Sequence, residues 1–116
     1  MEVKQLKHLL ALQQKELEVL RMYRSLLASP DSQINILRIR TALNYREAWE
    51  EYKAREVVIA AIVASMPSDL LRDIMEARYI GGLSWADISQ SVHFSEGYLY
   101  TLHNKALEVA ASSYAG

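Results

Sequence analysis

Leu83-Ser84-Trp85-Ala86-Asp87-Ile88-Ser89-Gln90-Ser91-Val92-His93-Phe94-Ser95-Glu96-Gly97-Tyr98-Leu99 decides the fold. Ser84 followed three residues later by Asp87 is a capping-box-like start for a short helix, from Trp85 to about Val92. His93-Phe94 reads as a tight turn. Ser95 then caps a second helix beginning Glu96-Gly97-Tyr98-Leu99. Two short helices joined by a turn of a few residues follow the helix-turn-helix plan, with Ile88, Val92, Leu99, Leu102 and Ala106 as its inner face.

Upstream, Pro67 is expected in the first turn of a preceding helix, with Asp69 favourable near its N-terminus. That helix carries Leu70, Leu71, Ile74, Met75 and Tyr79, and Gly81-Gly82 ends it by supplying positive φ. Residues 1–66 read as two longer helices. The first, from about Val3 to Leu27, places Leu6, Leu10, Leu17 and Leu20 at heptad-like spacing. The second, from about Ile34 to Ala64, repeats Tyr45, Trp49, Tyr52 and Ile59 on one stripe. Residues 57–64 are apolar all round, so both sides of that stretch are expected to be covered. Ser29-Pro30-Asp31-Ser32 breaks the pattern, because proline disfavours helix at the residue before it. So short a break implies an antiparallel hairpin. The expected fold is all-α: a long antiparallel helical hairpin over residues 1–66, acting as an oligomerisation arm, then a helix-turn-helix unit over residues 67–116. The wide stripe through Leu6, Leu10, Leu17, Leu20, Tyr45, Trp49, Tyr52 and Ile59 is expected to form a homodimer.

Composition narrows the classes. At 116 residues, 51% hydrophobic and 23% charged, the chain should fold as one small domain or a module with an arm. The absence of cysteine excludes disulfide scaffolds and cysteine-ligated zinc. His8, His93 and His103 have no partners at metal-ligand spacing, so no metal and no cofactor is expected. No phosphate loop, nucleophile elbow or zinc-protease motif is present, and an enzyme is not expected. The longest apolar run is far short of the roughly 20 residues of a membrane span, and the start lacks a signal-peptide pattern. Placement in a bacterial cytoplasm is expected.

Residues 78–107, RYIGGLSWADISQSVHFSEGYLYTLHNKAL, carry a family resemblance. They resemble the C-terminal promoter-reading domain of sigma factors, called region four. Asp87-Ile88, Ser95, Leu99 and Lys105-Ala106-Leu107 match its acidic–isoleucine pair, capping serine and terminal Lys-Ala-Leu. With a helical arm ahead of it, the chain is also similar to small phage late-gene activators of the RinA and ArpU kind. Arg78-Tyr79-Ile80 and Leu83-Ser84-Trp85 strengthen that comparison.

The resemblance implies a transcription regulator bound to double-stranded DNA, with RNA polymerase as a further partner. It implies that the helix from Ser95 enters the major groove, presenting Glu96, Gly97, Tyr98, Tyr100, Thr101, Asn104 and Lys105, while Ser84 and Trp85 flank it. Asparagine can pair with adenine and threonine can touch a thymine methyl. The sequence departs from sigma factors in having no arginine after Arg78, and residues 67–116 sum to −3. Few phosphates are therefore neutralised, and low intrinsic affinity with a shallow salt dependence is expected. Two other readings stand beside this one. One is a small-terminase-like packaging adaptor. The other is a protein-interaction module that mimics a sigma domain without touching DNA.

Overall fold

The computed structural model describes residues 1–28 and 36–114, whose regular elements are all helices. There are five helices among them: α1 (Val3–Ala28), α2 (Ile36–Ala64), α3 (Asp69–Tyr79), α4 (Trp85–Val92) and α5 (Glu96–Ser113). The break expected at Ser29-Pro30-Asp31-Ser32 lies outside the described residues.

α1 and α2 form the antiparallel hairpin. Polar contacts between them step down α2 as they step up α1. Gln13 donates to the Tyr52 carbonyl at 2.9 Å, Arg24 to the Tyr45 hydroxyl at 3.4 Å, and Arg38 to the Leu27 carbonyl at 2.7 Å. Gln13 is the one polar side chain among the buried residues. Besides donating to Tyr52 it accepts from Arg55 Nε at 3.0 Å, and Arg55 Nη2 also lies 3.6 Å from a Glu16 carboxylate oxygen. A glutamine in an otherwise leucine-lined seam fixes the register of the two helices, because any slip leaves buried polar atoms unpaired. Tyr45, Trp49 and Tyr52 stack along α2, with ring centroids 6.4 and 6.0 Å apart.

The hairpin is continuous with the helix-turn-helix unit. Leu6 and Leu10 of α1, Ile59, Ile62 and Val63 of α2, Met66 just beyond it, and the inner faces of α3, α4 and α5 share one hydrophobic core. This corrects the assignment of the apolar stripe to a partner. Leu6, Leu10, Leu20 and Ile59 are each at most 4% exposed within the single chain. Leu17, Tyr45 and Tyr52 are half-buried, and Trp49 alone of that set is exposed. The physical reason is that α3 and α5 fold back against α1 and α2. The apolar surface that looked surplus in the hairpin is used inside the molecule. The converse also holds. Residues 57–64 are not covered on both sides, for Val57, Val58, Ala60, Ala61 and Ala64 are exposed.

The connections follow local chemistry. Ser68 caps α3 by accepting from the Leu71 amide at 3.3 Å, so Pro67 lies just before the cap rather than inside the first turn. Arg72 ties this entry down, donating to the Met66 carbonyl at 2.9 Å and pairing with Asp69. α3 closes through Gly81 N to Glu76 O at 2.8 Å and Leu83 N to Ala77 O at 3.0 Å, with Gly82 at φ +71°. A β-carbon at Gly81 would stand 3.0 Å from the Ala77 carbonyl oxygen, so this exit suits glycine at both positions.

Candidate nucleic-acid interface

Each helix of the α4–turn–α5 unit starts where a serine side chain replaces a missing carbonyl. Ser84 accepts from the Asp87 amide and Ser95 from the Tyr98 amide, both at 3.1 Å. Both serines are thereby occupied as caps. Between the helices His93 adopts φ 60°, ψ 30°, the left-handed conformation that reverses the chain, at a position glycine usually fills. Ser89 donates to the Phe94 carbonyl, bracing the turn from α4. Ile88, Leu99, Leu102 and Ala106 are buried as the inner face. Val92 departs from that set at 37% exposed, because it sits on the last residue of α4 with only the turn beside it.

With Leu99, Leu102, Ala106 and Ala110 inward, the helical period places Gly97, Thr101 and Asn104 along the opposite ridge of α5. All three are exposed. The Thr101 hydroxyl donates to the Gly97 carbonyl at 3.3 Å, and nothing lies within 4 Å of where a Gly97 β-carbon would stand. The ridge has aromatic edges. On one side Tyr98, 48% exposed, meets Phe94 edge-on at 5.0 Å, with Lys105 two turns further along. On the other side Tyr100, 54% exposed, leans on Trp85 at 5.8 Å. Glu96 is exposed in the first turn of α5, and Asp87 in that of α4. These carboxylates sit at the positive ends of both helices, where a negative charge is favourable.

Trp85 is the hub behind the Tyr100 edge. Its ring meets His103 at 4.9 Å and carries the Arg78 guanidinium 5.1 Å above it, a cation–π arrangement. Arg78 Nη1 donates to the Leu83 carbonyl at 3.0 Å, while its Nε is buried without a hydrogen-bond partner. His103 Nε2 is hydrogen-bonded to the Tyr79 hydroxyl at 2.7 Å. Burial, then the positive charges of Arg78 and Lys7, hold the His103 pKa below its ordinary value, and burial pushes the Tyr79 phenol up. The imidazole is thus held neutral, hydrogen-bonded to a protonated phenol.

Folding then favours the neutral histidine, while the unfolded chain takes up a proton near pH 6.5. Stability is present above that pH and is lost as the pH falls toward the lower folded value. Urea unfolding by circular dichroism at about pH 7.5 and about pH 5.5 is expected to show this loss in the native chain, and a smaller loss in His103→Gln. Equal losses in the two proteins would separate His103 from the acid sensitivity.

Of the residues singled out in sequence, Gly97, Tyr98, Tyr100, Thr101, Asn104 and Lys105 share the outer surface of α5 with Glu96, and Trp85 borders it. Ser84 and Ser95 are structural. Two cations near the Trp85–His103 cluster were not legible from the α4–α5 sequence. Arg78 comes from the far side of the glycine turn, and Lys7 comes from α1, whose charge reaches His103. Neither has a carboxylate within ion-pair distance among the described residues. No family model, curated protein or solved structure matches the chain. No grouping of three or more histidine and acidic side chains suited to a metal occurs among the described residues. No described helix is long and apolar enough to cross a membrane.

Proposed function

We propose that the chain is a DNA-binding transcription regulator that reads duplex DNA with α5. The observation that carries this reading is the exposed ridge of Gly97, Thr101 and Asn104, held between the Tyr98 and Tyr100 edges on a helix locked from behind by its buried leucines. Glycine lets a base edge approach closely, asparagine and threonine supply the groove chemistry, and the tyrosines reach sugar and phosphate. Lys105, Lys7 and Arg78 supply the cations. The resemblance to small phage activators makes promoter DNA, together with RNA polymerase, the target of the proposal.

The test is fluorescence anisotropy on duplexes selected from a random pool, repeated across salt concentrations. Two or three phosphate contacts per chain correspond to a slope of log K against log salt of about −2 to −3. Lys105→Ala and Lys7→Ala are each expected to weaken binding on all sequences and flatten that slope by about 1. Asn104→Ala and Thr101→Ala are expected to relax the preferred sequence, at a cost of about 1–3 kcal/mol for a lost base contact. Should all four variants bind and discriminate as the native chain does, α5 is not the reading helix. A native chain that binds no duplex, alone or with RNA polymerase, would favour the protein-interaction reading, which the −3 charge of residues 67–116 also suits. A ring-shaped assembly in solution would favour the packaging adaptor.

A further inference from the structure

The outward face of α2 carries a second seam that no described residue covers. Ile39, Leu43, Arg46, Glu50, Lys53 and Val57 follow one another at alternating steps of four and three residues, the spacing of a helix-pairing stripe. They lie opposite the inward row of Tyr45, Tyr52 and Ile59. Ile39 is 58% exposed, Leu43 63% and Val57 70%, the last being the most exposed large apolar side chain described. At the middle of the seam Arg46 and Glu50 form an open ion pair at 3.5 Å.

We propose that this face is the interface of an antiparallel dimer between two copies of the chain, independent of what α5 binds. The charge order selects the occupant and its direction. In a parallel pair each position faces itself, so Arg46 would meet Arg46 and Glu50 would meet Glu50, both repulsive. In an antiparallel pair centred on Ala48, Arg46 and Glu50 lie two residues on either side of the centre and face each other reciprocally. In the same register Ile39 and Val57, each nine residues from Ala48, face each other. Leu43 and Lys53 do the same at five residues. Leu43 then packs on the aliphatic stem of Lys53, whose ammonium is turned to Glu56 at 3.0 Å and lies 5.4 Å over the Trp49 ring. Two apolar layers thus flank a central pair of ion bridges, and one sequence satisfies both strands of the pair.

Sedimentation equilibrium across micromolar to submillimolar concentrations tests this. The native chain is expected to dimerise. Leu43→Glu and Val57→Glu are expected to raise the dissociation constant roughly a hundredfold or more, with unchanged helical circular dichroism, since both side chains are exposed in the single chain. Arg46→Glu or Glu50→Arg alone should weaken the dimer, and Arg46→Glu with Glu50→Arg should restore it. Direction is read by oxidation, because the chain has no cysteine of its own. Ile39→Cys mixed with Val57→Cys should cross-link, while each alone should not. A native chain that stays monomeric overturns the proposal and leaves the face to a different protein. A dimer indifferent to these variants places the interface elsewhere, and cross-linking of each single variant with itself overturns the antiparallel arrangement.

Discussion

Leu99→Ala is expected to destabilise the protein by about 3–4 kcal/mol, a loss in the range measured for fully buried leucines that leave a cavity behind. Leu99 is fully buried at the first turn of α5, in the core shared with Ile88, Met75 and the α1 leucines. α4 has eight residues and cannot persist alone. Loosening Leu99 therefore releases the turn and the exposed ridge of Gly97, Thr101 and Asn104 together. Urea unfolding followed by circular dichroism measures the effect, with Val92→Ala as the comparison. Val92 is 37% exposed and should cost less than about 1 kcal/mol on the same scale. A Leu99→Ala protein as stable as the native chain would mean that α5 is not docked through this side.

Gln13→Leu is expected to destabilise by about 1–3 kcal/mol even though it extends the leucine seam. The apolar side chain fills the volume but deprives Arg55 Nε of its acceptor. Arg55 then retains only Glu16, at 3.6 Å, in a half-buried position where an unpaired guanidinium is costly. Arg55→Leu in the same chain removes the orphaned charge and should recover much of the loss, so the two substitutions are non-additive. A double-mutant cycle in urea reads that coupling directly. Additive effects would show that Gln13 and Arg55 act separately.

The elements were largely legible because their boundaries are set locally. Ser84 and Ser95 cap the helices they appeared to cap, and Gly82 takes the positive φ that the double glycine suggested. Pro67 lies just before the helix rather than in its first turn, because Ser68 takes the cap with its side-chain oxygen. What local chemistry does not encode is which apolar stripe faces which neighbour. Leu6 and Ile59 have the spacing of an intermolecular seam, and that spacing is the same whether the partner is a second chain or α5 of the same one. The more polar seam, with Arg46 and Glu50 in its centre, is the one left open. The same limit hid part of the candidate site. Gly97, Thr101 and Asn104 follow from the helical period of α5 alone. Lys7 adjoins His103 only because α1 crosses behind α5, and no pattern within either segment announces that crossing.

That crossing also orders the making of the molecule. α2, α3 and α4 intervene in sequence between α1 and α5, so the contact between them closes a long loop. Such a closure carries a large entropic cost that is repaid only when it is complete. During synthesis Leu6 and Leu10 emerge well before their partners on α5. Until translation reaches α5, the nascent chain holds an unfinished core with its leucines still in water. A molecule truncated within α5 loses the strap on which α1 rests as well as the exposed ridge, so the core and the ridge are completed together.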